Sequence, residues 1–165
     1  MKSYESSATI AAPVDRVFAH IDDYTRLSSH MSQSSWMMGG GKMTLDLDEG
    51  RGKKIGSRIR MAGRAFGIHL SLEEIVTERI PPRRKVWETV GIPRLLVIGS
   101  YRMGFDLTPQ PSGSRLRVFI DYAPPEKAPM RWLGQLFGQY YAKWCTHQML
   151  DDAVNHFAPA AQTNR

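Results

Sequence analysis

The stretch PMRWLGQLFGQYYAKWCTHQMLDDAVNHF, residues 129–157, decides the fold, because it is the one long run in the chain that reads as an unbroken helix. Pro129 suits a first helical turn, no proline follows it within the run, and Leu, Gln, Met, Ala, Lys and aromatic residues fill it. At ~1.5 Å per residue it spans roughly 40 Å, the long dimension of a domain this size. Residues placed at steps of ~100° around the axis fall on two apolar lines. Gly134, Gly138, Tyr141, Ala142, Cys145, Met149 and Ala153 form one, with little bulk in its N-terminal half; Trp132, Leu133, Leu136, Phe137, Tyr140 and Trp144 form the other. A strip so small lets the helix lie close against a sheet as ordinary core, or leaves room between helix and sheet for a guest.

Outward from this helix, the chain supplies enough residues for one domain. Its 165 residues are 42% hydrophobic and 23% charged, which excludes a disordered chain, and no stretch reaches the ~18 apolar residues of a membrane span. A single domain over residues 1–158 is expected, with 159–165 as a flexible tail. The N-terminus lacks the apolar core of a secretory signal, and the lone Cys145 cannot form an internal disulfide, so a cytoplasmic protein is expected. The net charge of +6 is concentrated in two basic runs, Arg51 to Arg64 and Arg79 to Lys85. Arg58 and Arg60 alternate with Ile59 and Met61, which places the charges on one solvated strand face and requires no nucleic acid.

In chain order, residues 2–10 read as a strand, 14–21 as a helix with Val14, Val17, Phe18 and Ile21 at helical spacing, and 24–30 as a second short helix. From Ser35 the period becomes two. Strands are expected over 36–47, interrupted by Gly39-Gly40-Gly41; over 55–61; over 66–80 after a turn at Ala62-Gly63-Arg64, with a change of phase at Glu73-Glu74; over 86–91; over 95–107; and over 115–123. The last two predict an antiparallel pair that turns Tyr101, Met103, Phe105, Val118 and Ile120 toward the helix and leaves Arg102 and Arg117 outside. A strand, two short helices, a run of hairpin strands and a long helix give an α+β domain with its helices on one face of an antiparallel sheet.

With these elements in place, Ile10-Ala11-Ala12-Pro13-Val14-Asp15-Arg16-Val17-Phe18 followed by Ile21-Asp22-Asp23-Tyr24 resembles the entry from first strand to first helix of the START-related, birch-pollen-allergen-like (SRPBCC) superfamily, in its polyketide cyclase/dehydrase and lipid-transport branch. Gly50, Gly52 and Gly56-Ser57, Pro81-Pro82 ahead of Trp87, and the closing aromatic helix extend the resemblance over nearly the whole chain. The resemblance implies a helix-grip fold: a curved antiparallel sheet of about seven strands around the C-terminal helix, with an apolar cavity between them. It leaves the activity open.

The chemistry legible in single residues is sparse. His20, His30, His69, His147 and His156 have no metal-ligand spacing, and Gly39-Gly40-Gly41-Lys42 lacks the first glycine and the Ser or Thr of a phosphate loop. Cys145 lies on an apolar helical strip, where a thiol packs and does not attack. Glu73 and Glu74 point to opposite faces of a strand, and neither they nor Asp22-Asp23 and Asp151-Asp152 make an acid/base pair by adjacency alone. No catalytic residue, metal or cofactor is assigned. The expected ligand lining is Met61, Leu70, Leu72, Tyr101, Met103, Phe105, Ile120, Tyr122, Gly138, Tyr141, Cys145 and Met149, with Tyr101, Tyr122 and Tyr141 as its hydrogen-bonding groups. The guest is then a hydrophobic small molecule: a lipid, an isoprenoid quinone or a polyketide-like compound. Two other readings stay open, a cyclase or dehydrase enzyme, and an interaction domain whose bulky helix strip meets a membrane or a subunit; the oligomeric state is open as well.

Overall fold

The computed structural model describes residues 1–27, 42–128 and 130–159. Pro129, the segment 28–41 and the end of the chain lie outside them, so the expected Trp36 strand start, its three glycines and the 28–30 end of the second helix are not part of this description.

Strand β1 (Lys2–Ile10) leads through Pro13, whose φ of −67° suits a helix entry, into α1 (Val14–Ile21) and the single turn α2 (Tyr24–Leu27). Six strands follow: β2 (Lys42–Leu47), β3 (Arg58–Ala65), β4 (Ile68–Ile80), β5 (Arg84–Arg94), β6 (Tyr101–Gln110) and β7 (Gly113–Tyr122). Every neighbouring pair is antiparallel, in the order β1-β7-β6-β5-β4-β3-β2. The chain closes with α3 (Met130–Phe157), which packs on β1, β7 and α1. This is the helix-grip arrangement, a curved seven-stranded sheet folded around its C-terminal helix.

Alternation along the strands builds the core. In the β6–β7 pair Met103 lies opposite Ile120 and Phe105 opposite Val118, all four buried, while Arg102 and Arg117 lie on the outer face. Phe18 from α1 meets Phe105 edge-on at 5.7 Å, and Ala142, Cys145, Met149, Leu150 and Ala153 of α3 complete the interior. One charged knot ties the helical layer to the sheet: Asp22, just after α1, accepts hydrogen bonds from Arg79 (2.7 Å) and from Lys85 (2.9 Å), whose side chain is fully buried. A buried ammonium is tolerated here because a carboxylate and a backbone carbonyl satisfy it.

Three local expectations differ from the structure. The β3–β4 turn lies not at residues 62–64 but at Phe66-Gly67, between the paired Ala65 and Ile68. Both turn residues have positive φ, 50° and 75°, the backbone twist that a two-residue hairpin loop requires. The face of β4 does not change at Glu73-Glu74: Leu70, Leu72, Glu74 and Val76 all point inward, and a later irregularity in the β4–β5 ladder, between Val76 and Glu78, ends the run. Residues 95–100 are a loop and not the start of β6; their apolar alternation reflects contacts with α3 and the 123–125 segment, described next.

Candidate ligand site

The glycine strip of α3 is filled. A Cβ built at Gly134 would stand 2.5 Å from Pro125 Cδ and 2.8 Å from the Val97 carbonyl oxygen, and one at Gly138 would stand 3.1 Å from the same oxygen and 3.2 Å from the Tyr122 ring. The two glycines therefore form a notch for the 95–100 loop, which is itself held by hydrogen bonds from Gly99 N–H to the Ala123 carbonyl (2.8 Å) and from Ala123 N–H to the Ser100 carbonyl (2.9 Å). The helix-to-loop contact is close because no side chain intervenes.

Space opens beside this contact. A pocket of about 880 Å³ lies between the β3–β4 hairpin tip (Phe66, Ile68), the loop (Leu96, Val97) and the first half of α3 (Met130, Leu133, Phe137, Tyr140, Tyr141). A smaller one of about 110 Å³ adjoins it, lined by Ala65, Phe66, Leu70, residues 95–98 and Tyr141. Apart from the two tyrosine hydroxyls, the side chains of the larger pocket offer no hydrogen-bonding oxygen or nitrogen. Phe66, Phe137 and Tyr140 are 69%, 49% and 70% exposed, an apolar wall open to water.

Behind Tyr141 lies a buried polar cluster. Glu74 is 1% exposed, its Oε1 accepts a hydrogen bond from the Tyr101 hydroxyl, which reaches over β5 from β6, and its Oε2 has no partner among the described residues. Burial pushes the Glu74 carboxyl up to about 8, against the opposing pull of the Tyr101 hydroxyl, the Lys85 charge and the Trp87 indole. The acid is therefore largely protonated at neutral pH. Tyr101 and Tyr141 are held well above the usual phenol range, by burial first and then by surrounding groups that include Glu74. Cys145 is pushed to about 12 by burial, against a hydrogen bond from Tyr141. Its thiol is packed and not poised as a nucleophile.

The sequence-derived lining distributes across this architecture as follows. Tyr141 faces both pockets and Leu70 the smaller one. Met61, Leu72, Met103, Phe105, Ile120, Tyr122, Cys145 and Met149 lie together in the buried core, Tyr101 sits at its edge, and Gly138 is closed against the loop. Sequence reasoning missed Glu74 and the hairpin tip. The signal for Glu74 was the unbroken two-residue spacing Leu70, Leu72, Glu74, Val76. Among the described residues no three His, Cys, Asp or Glu side chains gather as a metal site. His147 instead meets the Tyr4 hydroxyl at 3.0 Å, and His20 meets Asp152 at 2.8 Å.

Known proteins of the same shape surround this chain. A protein of Chromobacterium violaceum is 16% identical with a TM-score of 0.62, over 96% of this chain and 99% of that one. The major latex-like protein 151 of Panax ginseng is 15% identical with a TM-score of 0.60, over 96% and 98%. The di-domain ARO/CYC StfQ of the steffimycin biosynthetic pathway is 14% identical with a TM-score of 0.64, over 94% of this chain and 50% of that one. At such identities the likeness is one of fold. No curated protein matches by sequence. The family model described as polyketide cyclase / dehydrase and lipid transport matches residues 1–157, and the chain belongs to that family.

Proposed function

We propose that the protein binds a hydrophobic small molecule, a lipid, an isoprenoid quinone or a polyketide-like compound, in the pocket between the β3–β4 hairpin, the 95–98 loop and the first half of α3. One observation carries this reading: about 880 Å³ of space walled by nine residues whose only hydroxyls are those of Tyr140 and Tyr141. Such a volume matches sites that enclose a molecule of a few hundred daltons, and such a wall favours apolar guests over charged ones. The family affiliation agrees with it. The buried layer behind Tyr141 and Leu70, comprising Met61, Leu72, Tyr101, Met103, Phe105, Ile120, Tyr122, Cys145 and Met149 with Gly138 at its rim, is packed core that a longer ligand would enter by displacing side chains, its thioethers being among those that repack.

The apolar dye N-phenyl-1-naphthylamine tests the reading. Saturable fluorescence enhancement at one dye per chain is expected, with a Leu133→Glu variant, which places a charge on the pocket wall, losing it. Equal enhancement in that variant overturns the assignment. A second reading, catalysis of the cyclase or dehydrase type, is favoured by the Glu74–Tyr101 pair, since a buried acid protonated near neutral pH is suited to proton donation.

A further inference from the structure

The pocket ends at Tyr141, and the polar cluster begins there. Glu74 shares the inward face of β4 with Leu70, which lines the smaller pocket. At ~3.3 Å per residue the two positions are about 13 Å apart along the strand. A ligand seated at the hairpin that displaces Tyr141 and reaches inward by that length would meet Glu74 with its inner end.

The geometry fixes which atom is available. Tyr101 donates to Oε1, while Oε2 has no partner of hydrogen-bond geometry among the described residues although the Trp87 indole stands near enough to act on the carboxyl, so the proton of the neutral acid is placed on Oε2. A buried donor left unpaired is costly, and buried polar groups are almost always satisfied. We propose that Glu74 is the inner recognition point of this site, its Oε2–H donating to a carbonyl oxygen of a neutral, flat, largely apolar ketone or quinone. The proposal rests on the ligand-binding reading above. The surroundings argue for that class. Burial keeps the carboxyl protonated to about pH 8, so it is a donor in the neutral range. The charged and titratable groups facing it are Lys85 of β5, Tyr101 of β6, and Tyr141 and Cys145 of α3, with the Trp87 indole of β5 beside them. The Lys85 charge opposes a cationic ligand at this end. An anionic one would have to leave water for an apolar wall with its nearest cation already engaged by Asp22.

The experiment uses two neutral dyes of similar size, 6-propionyl-2-dimethylaminonaphthalene, whose emission moves to longer wavelength when its carbonyl accepts a hydrogen bond, and N-phenyl-1-naphthylamine, which has no carbonyl. In the wild-type chain the ketone dye is expected to bind with long-wavelength emission, to lose that emission as pH rises from about 6 to about 9, and to lose affinity by up to about tenfold per pH unit above the carboxyl's midpoint. The dye without a carbonyl is expected to bind with the same affinity throughout. Glu74→Leu is expected to keep the second dye and abolish the long-wavelength emission of the first. Should that variant not fold by circular dichroism, Glu74→Gln decides, because it keeps a donor but removes the titration, so the pH dependence vanishes while the long-wavelength emission stays. Ketone binding in the wild type with no emission shift and no pH dependence overturns the role of Glu74 and leaves the pocket standing. Failure of both dyes to bind overturns the pocket reading and this proposal with it.

Discussion

Glu74 and Asp22 are both buried carboxyls, and their surroundings push them in opposite directions. For Glu74 burial dominates and raises the carboxyl from 4.5 to about 8. For Asp22 burial also acts upward but is outweighed by the hydrogen bond from Arg79 and by Lys85, so it ends below the usual carboxylate range. The signs follow by linkage. The folded state holds the Glu74 proton more tightly than the unfolded chain does, so its contribution is complete below about pH 4.3 and is lost as pH climbs to about 8. At about 1.4 kcal/mol per pKa unit that loss is a few kcal/mol. Urea unfolding of Glu74→Gln is therefore expected to show a flatter stability profile than wild type between about pH 5 and about pH 8. Asp22 contributes above its unfolded pKa and loses that contribution as pH falls through its lower folded value. Asp22→Asn, which leaves the Lys85 ammonium buried without its carboxylate, is expected to cost about 3–5 kcal/mol at neutral pH by the same measurement. Cys145, buried and with its thiol raised to about 12, is expected to react with a thiol reagent only at the rate at which the fold opens.

At the scale of elements, the hairpin tip and the glycine notch set the pocket's walls. Phe66 holds a φ of 50° while 69% exposed, a conformation that a bulky residue adopts at a cost of about 1 kcal/mol or more. A ligand in the pocket would cover this exposed ring at the rim. Phe66→Asn, suited to the left-handed region, is expected to raise thermal stability slightly and to weaken dye binding; stronger or unchanged binding would detach the hairpin from the site. Gly134→Ala drives a methyl into Pro125 and the Val97 carbonyl and is expected to destabilise by about 1–3 kcal/mol in urea titrations. The same two features explain what the sequence could convey. Hydrophobic spacing located α1, α3 and the β6–β7 register, because a period of two or 3.6 follows from which face is buried. It misassigned residues 95–100, where Leu95, Val97 and Gly99 alternate like a strand although Gly99 is placed by the 123–125 segment and Val97 by the helix notch. It missed the turn at Phe66-Gly67 because Ala62-Gly63-Arg64 offers an equally acceptable turn composition. Small residues on α3 indicated close approach or empty space, and only the position of a distant carbonyl could choose between them.

Across the whole molecule, the solvent-facing charge and the apolar pocket occupy opposite sides of the sheet, while the Asp22–Arg79–Lys85 knot and the buried Glu74 lie on the inner side. On the outer face Arg84 bridges Asp106 and Glu78, Arg117 bridges Glu5 and Asp106, and Arg58 and Arg60 share Glu73, so much of the positive charge there is already compensated. The inner side holds the apolar pocket, and its walls come from three segments distant in sequence: the β3–β4 tip, the 95–98 loop and the first half of α3. The loop is tied to the 123–125 segment and to the helix, whereas the hairpin tip stands out with Phe66 and Ile68 exposed. A ligand filling this space makes contacts to all three segments at once, and anything that binds the native state alone stabilises it, by about 2.7 kcal/mol at a hundredfold excess over Kd. Local openings that separate the segments must then break ligand contacts, while openings elsewhere need not. Hydrogen exchange with and without N-phenyl-1-naphthylamine is therefore expected to slow together at residues 65–68, 95–98 and 130–141 and to leave β1 and the outer part of β7 at their unliganded local rates. Protection confined to α3, with the hairpin and loop unchanged, would mean that the dye lies on the exposed helix face beside Trp132 and Leu136, outside the pocket.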